Sequence, residues 1–120
     1  MFNLKRSLIV ICFIMLTITQ AQAGSYIANG TVKEVSNVAS NTPAFAIIVD
    51  GTGICAGQWI PFYPENFLTE NNTEEDKKDA YKRAYANALL AMTNEDLKVS
   101  VHNYTGSSCD GASYLSLYRE

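Results

Sequence analysis

The sequence predicts an α+β domain built from five antiparallel strands and one α-helix, with the helix between the third and fourth strands. Two observations lead to this prediction. Between residues 80 and 92, apolar side chains recur every three or four positions, which is the spacing of one face of an α-helix. On both sides of that stretch lie short runs of β-branched and aromatic residues separated by turn sequences, which is typical of strands.

The N-terminal segment has the pattern of an export signal. Two basic residues precede an almost unbroken apolar run from Leu8 to Ile18, and Ala21-Gln22-Ala23 supplies the small residues that a signal peptidase accepts. We therefore expect a signal peptide over residues 1–23 and a single domain over residues 24–120, located in the periplasm or outside the cell. An uncleaved membrane anchor is disfavoured, because so short an apolar run cannot cross a hydrocarbon core of about 30 Å.

Cleavage would leave two cysteines, Cys55 and Cys109, in the exported chain. An even number of cysteines in an oxidising compartment predicts that they form a disulfide. The closed loop of about 54 residues would restrain the unfolded chain by roughly 4 kcal/mol. A metal site is the alternative, but it needs further ligands, and the single histidine, His102, lies in a predicted strand. We expect no metal and no cofactor.

The charge of the exported domain argues against two classes of partner. Residues 24–120 carry seven basic and twelve acidic side chains, a net charge of −5. A chain this acidic, with no basic run, is a poor candidate for binding nucleic acid or an anionic membrane. Its length suits one modest core that buries about 65% of the surface exposed by the unfolded chain.

The first predicted strand region covers residues 24–38. Its apolar residues do not alternate strictly: Tyr26, Ile27, Val32, Val35 and Val38. This spacing predicts either one long strand with a bulge or bend near Lys33-Glu34 or two short strands. Gly30 is a natural position for such a bend, and a polar turn is expected over residues 39–43.

A hairpin follows. The apolar run at residues 44–49 suits a strand buried on both faces. Asp50-Gly51-Thr52-Gly53 then has turn chemistry, and extended structure is expected to resume at Ile54-Cys55 and over residues 58–62. Pro61 cannot donate a hydrogen bond to a neighbouring strand, so it should lie at an edge.

A polar loop over residues 63–73 leads to the helix. Thr73 is the expected N-cap, and the acidic residues at positions 74–76 suit the positive end of the helix dipole. The helix should end at about Thr93, with Asn94 in the left-handed conformation. Six residues form the stripe that we expect to be buried against the sheet: Tyr81, Ala84, Tyr85, Ala88, Leu89 and Met92.

Two strands close the chain. Apolar and polar residues alternate from Leu97 to His102, which indicates a half-buried strand. A Gly/Ser-rich loop over residues 104–112 carries Cys109, and Tyr114 to Tyr118 is the last predicted strand. A helix between the third and fourth strands is the arrangement of a small OB-fold barrel, and an open sheet with the helix across one face is the alternative.

Several segments together carry a family likeness: Gly30-Thr-Val, residues 44–49, Cys55-Ala-Gly-Gln-Trp-Ile-Pro-Phe, Ala88-Leu-Leu-Ala-Met, Leu97-Lys-Val-Ser-Val and Cys109-Asp-Gly-Ala-Ser-Tyr-Leu. In this pattern the chain resembles small exported bacterial proteins described as similar to the B subunit of subtilase cytotoxin. The resemblance implies an OB-like fold with a Cys55–Cys109 disulfide. Subunits of that toxin form pentamers and bind sialylated glycans, but none of their glycan-contacting residues can be matched to positions in this sequence.

The residue types that carry catalysis do not form a recognisable motif here. His102 is the one candidate imidazole base, and no Gly-x-Ser-x-Gly pattern surrounds a serine that it could activate. The carboxylates at residues 74–76 and Asp79 are explained by the start of the helix. We therefore expect a protein that is not an enzyme, with no catalytic residue.

Aromatic residues outside the helix indicate binding instead. Rings flanked by Asn, Ser and Asp can stack on sugars or form protein interfaces, although core packing is the alternative for Trp59 and for either Tyr114 or Tyr118. The predicted binding surface centres on the loop over residues 103–113 and comprises four residues: Tyr63, Tyr104, Asp110 and Tyr114.

We thus expect an exported non-enzymatic binding protein whose partner is a glycan or an envelope or host protein. In the form similar to toxin B subunits it would be a homo-oligomer. The alternative is a monomeric envelope protein, such as an inhibitor of a hydrolase, whose acidic surface would suit a basic target.

Overall fold

The computed structural model describes residues 25–37 and 44–119. The predicted signal peptide and the predicted turn over residues 39–43 lie outside this range. Five strands and one α-helix occur in it: β1 (Ser25–Asn37), β2 (Phe45–Thr52), β3 (Trp59–Phe62), α1 (Glu74–Thr93), β4 (Leu97–Asn103) and β5 (Tyr114–Arg119). Within these residues, no helix has both the length and the apolar character that crossing a bilayer requires.

The strands form one antiparallel sheet in the order β3-β2-β1-β4-β5. The predicted α+β class is confirmed, and so is the position of the helix between the third and fourth strands. Of the two predicted arrangements, the structure has the open sheet, because β3 and β5 lie at opposite edges rather than pairing to close a barrel.

A β-bulge in β1 explains its irregular apolar spacing. Val32 pairs with Val49 and Val35 with Ile47, with a register shift between Val32 and Glu34. The extra residue allows Val32 and Val35, three positions apart, to point to the same face of the sheet. The prediction of one long strand with a bulge near Lys33-Glu34 is therefore the correct one of the two.

The hairpin of β2 and β3 is confirmed, but its turn lies later than expected. Residues 50–52 belong to β2 and pair with β1, and the turn begins at Gly53. The extended conformation predicted for Ile54-Cys55 is wrong. Gly53 has a φ of 110°, a conformation that glycine adopts readily, and the turn folds back so that the Cys55 N–H donates to the Ile27 carbonyl at 2.8 Å.

The predicted disulfide joins Cys55 to Cys109. Cys55 is fully buried among the core residues. The bond fastens the turn after β2 to the 3₁₀ turn Cys109–Gly111 that precedes β5. Two loops far apart in sequence are thereby fixed at the same end of the sheet.

The helix begins and ends where predicted, at Glu74 and Thr93, but the conformation of the residue after it differs. Thr73 Oγ1 accepts a hydrogen bond from the Asp76 N–H at 3.1 Å, which confirms the N-cap. Asn94 at the C-terminal end is extended, with a φ of −136°, so the left-handed prediction is wrong. At the other end of the helix, Asn72 is left-handed, with a φ of 57°, immediately before the N-cap.

The inner face of the sheet, defined here as the face that α1 covers, holds the core. Phe45 stacks on Phe62 with ring centroids 4.7 Å apart. Tyr81 and Tyr85 of α1 approach Phe45 to 5.3 and 5.1 Å between centroids. Partial burial raises the pKa of Tyr81, and the neighbouring Tyr85 adds to the shift.

The buried stripe of α1 is rotated from the predicted one. Ala84, Ala88 and Ala91 are buried, whereas Leu89 is 36% and Met92 40% exposed. The prediction that these two larger residues are buried is wrong. The alanines let the helix lie close to a sheet whose own side chains, such as Phe45, already fill the space between the layers.

Loss of the disulfide should lower the free energy of unfolding by about 2–4 kcal/mol, because the bond closes a long loop in the unfolded chain. Urea unfolding of the oxidised wild type and of a Cys55→Ala/Cys109→Ala variant measures the difference. Reductant should destabilise the wild type and leave the variant unchanged. Equal stability of the oxidised and reduced wild type would contradict the expectation.

The rotated stripe can be tested with adjacent substitutions. Ala88→Leu should destabilise the fold by about 1–3 kcal/mol, because Ala88 is fully buried between helix and sheet. Leu89→Ala should cost less than about 1 kcal/mol, since Leu89 is partly solvent-exposed. Thermal and urea unfolding of both variants measure the two losses of stability. A larger loss of stability for Leu89→Ala than for Ala88→Leu would support the stripe expected from the sequence instead.

Candidate functional site

The outer face of the sheet, opposite α1, carries a row of aromatic side chains. In β4 the buried Val99 and Val101 alternate with Ser100 and His102, which point outward. Strand register places Tyr26 of β1 opposite His102 on one side and Tyr114 of β5 opposite it on the other. Three neighbouring strands therefore contribute rings to one level of the outer face.

These residues form an aromatic cluster, defined as Tyr26, His102, Tyr104 and Tyr114. Tyr104 stacks on His102 with ring centroids 6.1 Å apart, and Tyr114 meets the same imidazole edge-on at 5.7 Å. The centroids of Tyr104 and Tyr114 are 6.0 Å apart. The three tyrosines remain 43–49% exposed. His102, Tyr104 and Tyr114 thus pack on one another, and Tyr26 lies beside His102 in the strand register. Exposed rings in this arrangement form a platform for a flat apolar surface.

A polar cleft lies further along the same face, with a volume of about 260 Å³. Lys98 Nζ donates to Thr31 Oγ1 at 2.8 Å, and the Tyr118 hydroxyl donates to Asn29 Oδ1. Asp50, on β2, also lines the cleft and is exposed. The cleft thus presents a cation, a carboxylate, an amide and hydroxyls within a small area.

Between the cluster and the cleft, Ser100 Oγ lies 3.1 Å from His102 Nε2. An activated serine nucleophile also needs a group that orients the imidazole. The described contacts of the His102 imidazole are with Ser100, Tyr104 and Tyr114, none of which is a carboxylate. Across residues 25–37 and 44–119, no three His, Cys, Asp or Glu side chains are grouped so that they could hold a metal ion.

Asn103 holds the loop that presents Tyr104. It is 1% exposed, and its Nδ2 donates to the Ser108 carbonyl at 2.8 Å. Its Oδ1 accepts from both the N–H and the hydroxyl of Thr105, each at 2.9 Å. A single buried amide therefore fixes the backbone on either side of the loop between β4 and the disulfide.

The structure brings together two of the four residues predicted for the binding surface. Tyr104 and Tyr114 are in contact, whereas Asp110 lies in the 3₁₀ turn, where its carbonyl accepts from Asn66 Nδ2 at 3.2 Å. Tyr63 follows β3 and is half-buried; among the described ring contacts, none joins it to the aromatic cluster. Of the four predicted residues, only Tyr104 and Tyr114 are therefore shown in contact with each other.

Sequence reasoning missed Tyr26 and His102 as members of the cluster. Both residues alternate outward on their strands, but only the pairing register shows that they lie side by side.

Core packing, the alternative for Trp59, is excluded by its 48% exposure at the β3 edge of the outer face. Tyr114 is similarly exposed.

Comparison with known proteins identifies a family without a known activity. The family model described as "Family of unknown function (DUF5992)" matches residues 7–119. Because the match covers nearly the whole chain, the protein belongs to this family. No curated protein and no solved structure matches the chain. The resemblance to the B subunit of subtilase cytotoxin is not shown by these findings and remains a sequence-based expectation.

Asn103→Ala should lower the free energy of unfolding by about 1–3 kcal/mol, because it removes a buried amide that donates to the Ser108 carbonyl and accepts from the N–H and hydroxyl of Thr105. Urea unfolding measures the loss, and hydrogen exchange at the Thr105 amide should become faster. Ser107→Ala, in the exposed part of the same loop, is the control and should be nearly neutral. Equal effects of the two substitutions would show that Asn103 does not hold the loop.

Proposed function

We propose that this member of the DUF5992 family is an exported, non-enzymatic binding protein that takes a carbohydrate on the outer face of its sheet. The observation that carries the proposal is the position of the exposed aromatic cluster beside the polar cleft on one face. Aromatic rings offer apolar surfaces on which the C–H face of a sugar can stack. The Lys98, Asp50 and Asn29 side chains offer donors and acceptors for sugar hydroxyls.

The rigidity of the platform supports this proposal. Tyr26 and Tyr114 lie on strands of a continuous sheet, and Tyr104 follows β4 directly. The disulfide and the Asn103 hydrogen bonds restrain the loop beyond Tyr104. A surface ordered before binding loses less conformational entropy when its ligand arrives. Side chains on strands can also be positioned more accurately than those on loops.

The charge and the disulfide agree with the proposed role. An oxidising compartment, where surface and secreted glycans occur, is where a structural disulfide persists. The acidic domain would repel nucleic acid and anionic membranes. An uncharged hydroxyl-rich ligand does not meet this repulsion, which favours a sugar over a phosphate-rich partner.

The alternative is a monomeric envelope protein that inhibits a hydrolase. Its net charge would suit a basic target, and tyrosines are common anchors of protein interfaces. An inhibitor of this type would present one dominant loop. Two of the three exposed tyrosines in the aromatic cluster lie on strands instead, which favours the carbohydrate proposal.

A glycan array probed with oxidised protein of residues 24–120 tests the proposal, followed by titration calorimetry of the best glycan. Tyr104→Ala should weaken binding at least about tenfold, equivalent to about 1.4 kcal/mol, without lowering the melting temperature, because Tyr104 is 43% exposed. Tyr26→Ala should act in the same direction.

Trp59→Ala provides a matched control, since Trp59 is a similarly exposed aromatic residue on the same face but at the opposite edge of the sheet. It should leave glycan affinity unchanged. Binding that is equally weakened by Trp59→Ala, or lost stability with unchanged binding in Tyr104→Ala, would contradict the proposed site. An array with no bound glycan would contradict the function itself.

A further inference from the structure

The two edges of the sheet differ in how they are protected. The β3 edge is four residues long and contains Pro61, which cannot donate to a further strand. The β5 edge is six residues long, contains neither proline nor lysine, and pairs with β4 without a register shift. Proteins usually protect edge strands with such residues or with bulges. Among the described strands, β5 is therefore the edge best suited to receive another strand.

The sequence of β5 is self-complementary. Tyr114-Leu115-Ser116-Leu117-Tyr118 reads the same in both directions. In an antiparallel pair of two such strands centred on Ser116, each leucine lies opposite a leucine and each tyrosine opposite a tyrosine. Leu115 and Leu117 point to the inner face, because they pair with Val101 and Val99. Leucine would thus face leucine on the inner face, and tyrosine would face tyrosine on the outer face. Apolar and aromatic cross-strand pairs of this kind stabilise sheets.

A groove beside β5 offers the additional surface that a dimer needs. It lies between α1 and β5, has a volume of about 560 Å³, and is lined by Phe67, Leu68 and Leu117 among others. Leu68 is 53% exposed. A stable interface buries roughly 1,200–2,000 Å² in total, more than backbone pairing of two short strands covers. The groove also contains one acid and one base, Glu70 and Arg83, so two copies related by a twofold axis present both signs to each other.

We propose that the protein forms a symmetric dimer in which β5 pairs antiparallel with β5 of a second copy about Ser116, giving a continuous ten-stranded sheet. The twofold axis is perpendicular to the sheet, so both outer faces point to the same side and both helices to the other. Such a twofold interface uses the same surface of each copy and closes on itself. Dimerisation does not depend on the carbohydrate proposal.

One consequence does rest on the proposed function. Two aromatic clusters on the same side of one sheet would let a dimer engage two glycans of a dense surface at once. Linked sites raise apparent affinity without any new contact, because the second binding event becomes intramolecular. A monomer would keep its affinity for a free glycan and lose only this enhancement.

Light scattering after size exclusion, on oxidised protein of residues 24–120 across the micromolar range, should give twice the monomer mass. Ser116→Lys and Ser116→Glu should each give folded monomers, because two like charges would lie directly opposite each other at the twofold axis. An equimolar mixture of the two variants should return to the dimer mass. Only a dimer in which residue 116 of one copy lies opposite residue 116 of the other predicts this return to the dimer mass.

Ser36→Lys is the control, since Ser36 is an exposed outer-face residue of β1 far from the edge, and it should remain dimeric. Circular dichroism establishes that each variant is folded. A monomeric wild type, a ring of higher mass, a dimeric Ser116→Lys variant, or a mixture of the charged variants that stays monomeric would each overturn the proposal. On a glycan-coated surface, the equimolar mixture should bind with higher avidity than either charged variant alone, while its affinity for free glycan should lie between those of the two variants. Because Ser116 pairs with Ser100 on the outer face, the mixture and not the wild type is the reference that separates dimerisation from the carbohydrate site, which Tyr104→Ala tests.

Discussion

In the part of the chain that the structure describes, the fold depends on the fact that α1 covers only one face of the five-stranded sheet. A sheet must bury one apolar face, and α1 does this through Ala84, Ala88 and Ala91, which are small enough to let the layers approach. The outer face then lies on the solvent side of the strands. Residues that alternate outward, such as His102, are presented there by the pleat of the strands and need no loop to position them.

The proposed site lies at the end of the sheet that has the most covalent and polar restraint. The disulfide joins the turn after β2 to the loop before β5, and Cys55 also donates to the backbone of Ile27 in β1. Asn103 adds three hydrogen bonds inside the same loop. Tyr104 therefore extends from a segment whose freedom is limited on both sides, which is a property expected of a preorganised binding surface.

Apart from the disulfide, which the count of two cysteines predicts, the features that could be predicted from the sequence are encoded within a few neighbouring residues. Features set by the packing of distant segments could not be predicted in this way. The N-cap at Thr73 and the β1 bulge follow from local side-chain chemistry and spacing. The rotation of α1 was missed because Leu89 fits the 3.6-residue period as well as Ala91 does, and the shape of the sheet decides between them. The aromatic cluster was half predicted: Tyr104 and Tyr114 are close along the chain, but Tyr26 joins them only through strand register.

The net charge of −5 on residues 24–120 opposes the approach of a second copy, so short-range interactions must outweigh it at the β5 edge. Salt screens charges beyond about 8 Å under physiological conditions, which leaves only groups near the contact to decide the balance. Within β5 the one charged residue is Arg119, and the adjacent groove holds Arg83 together with Glu70. The acidic first turn of α1 does not line this groove. Glu120 follows Arg119 in the sequence and offsets its charge. The edge is therefore locally close to neutral on an acidic domain, and leucine burial with backbone pairing can determine association there.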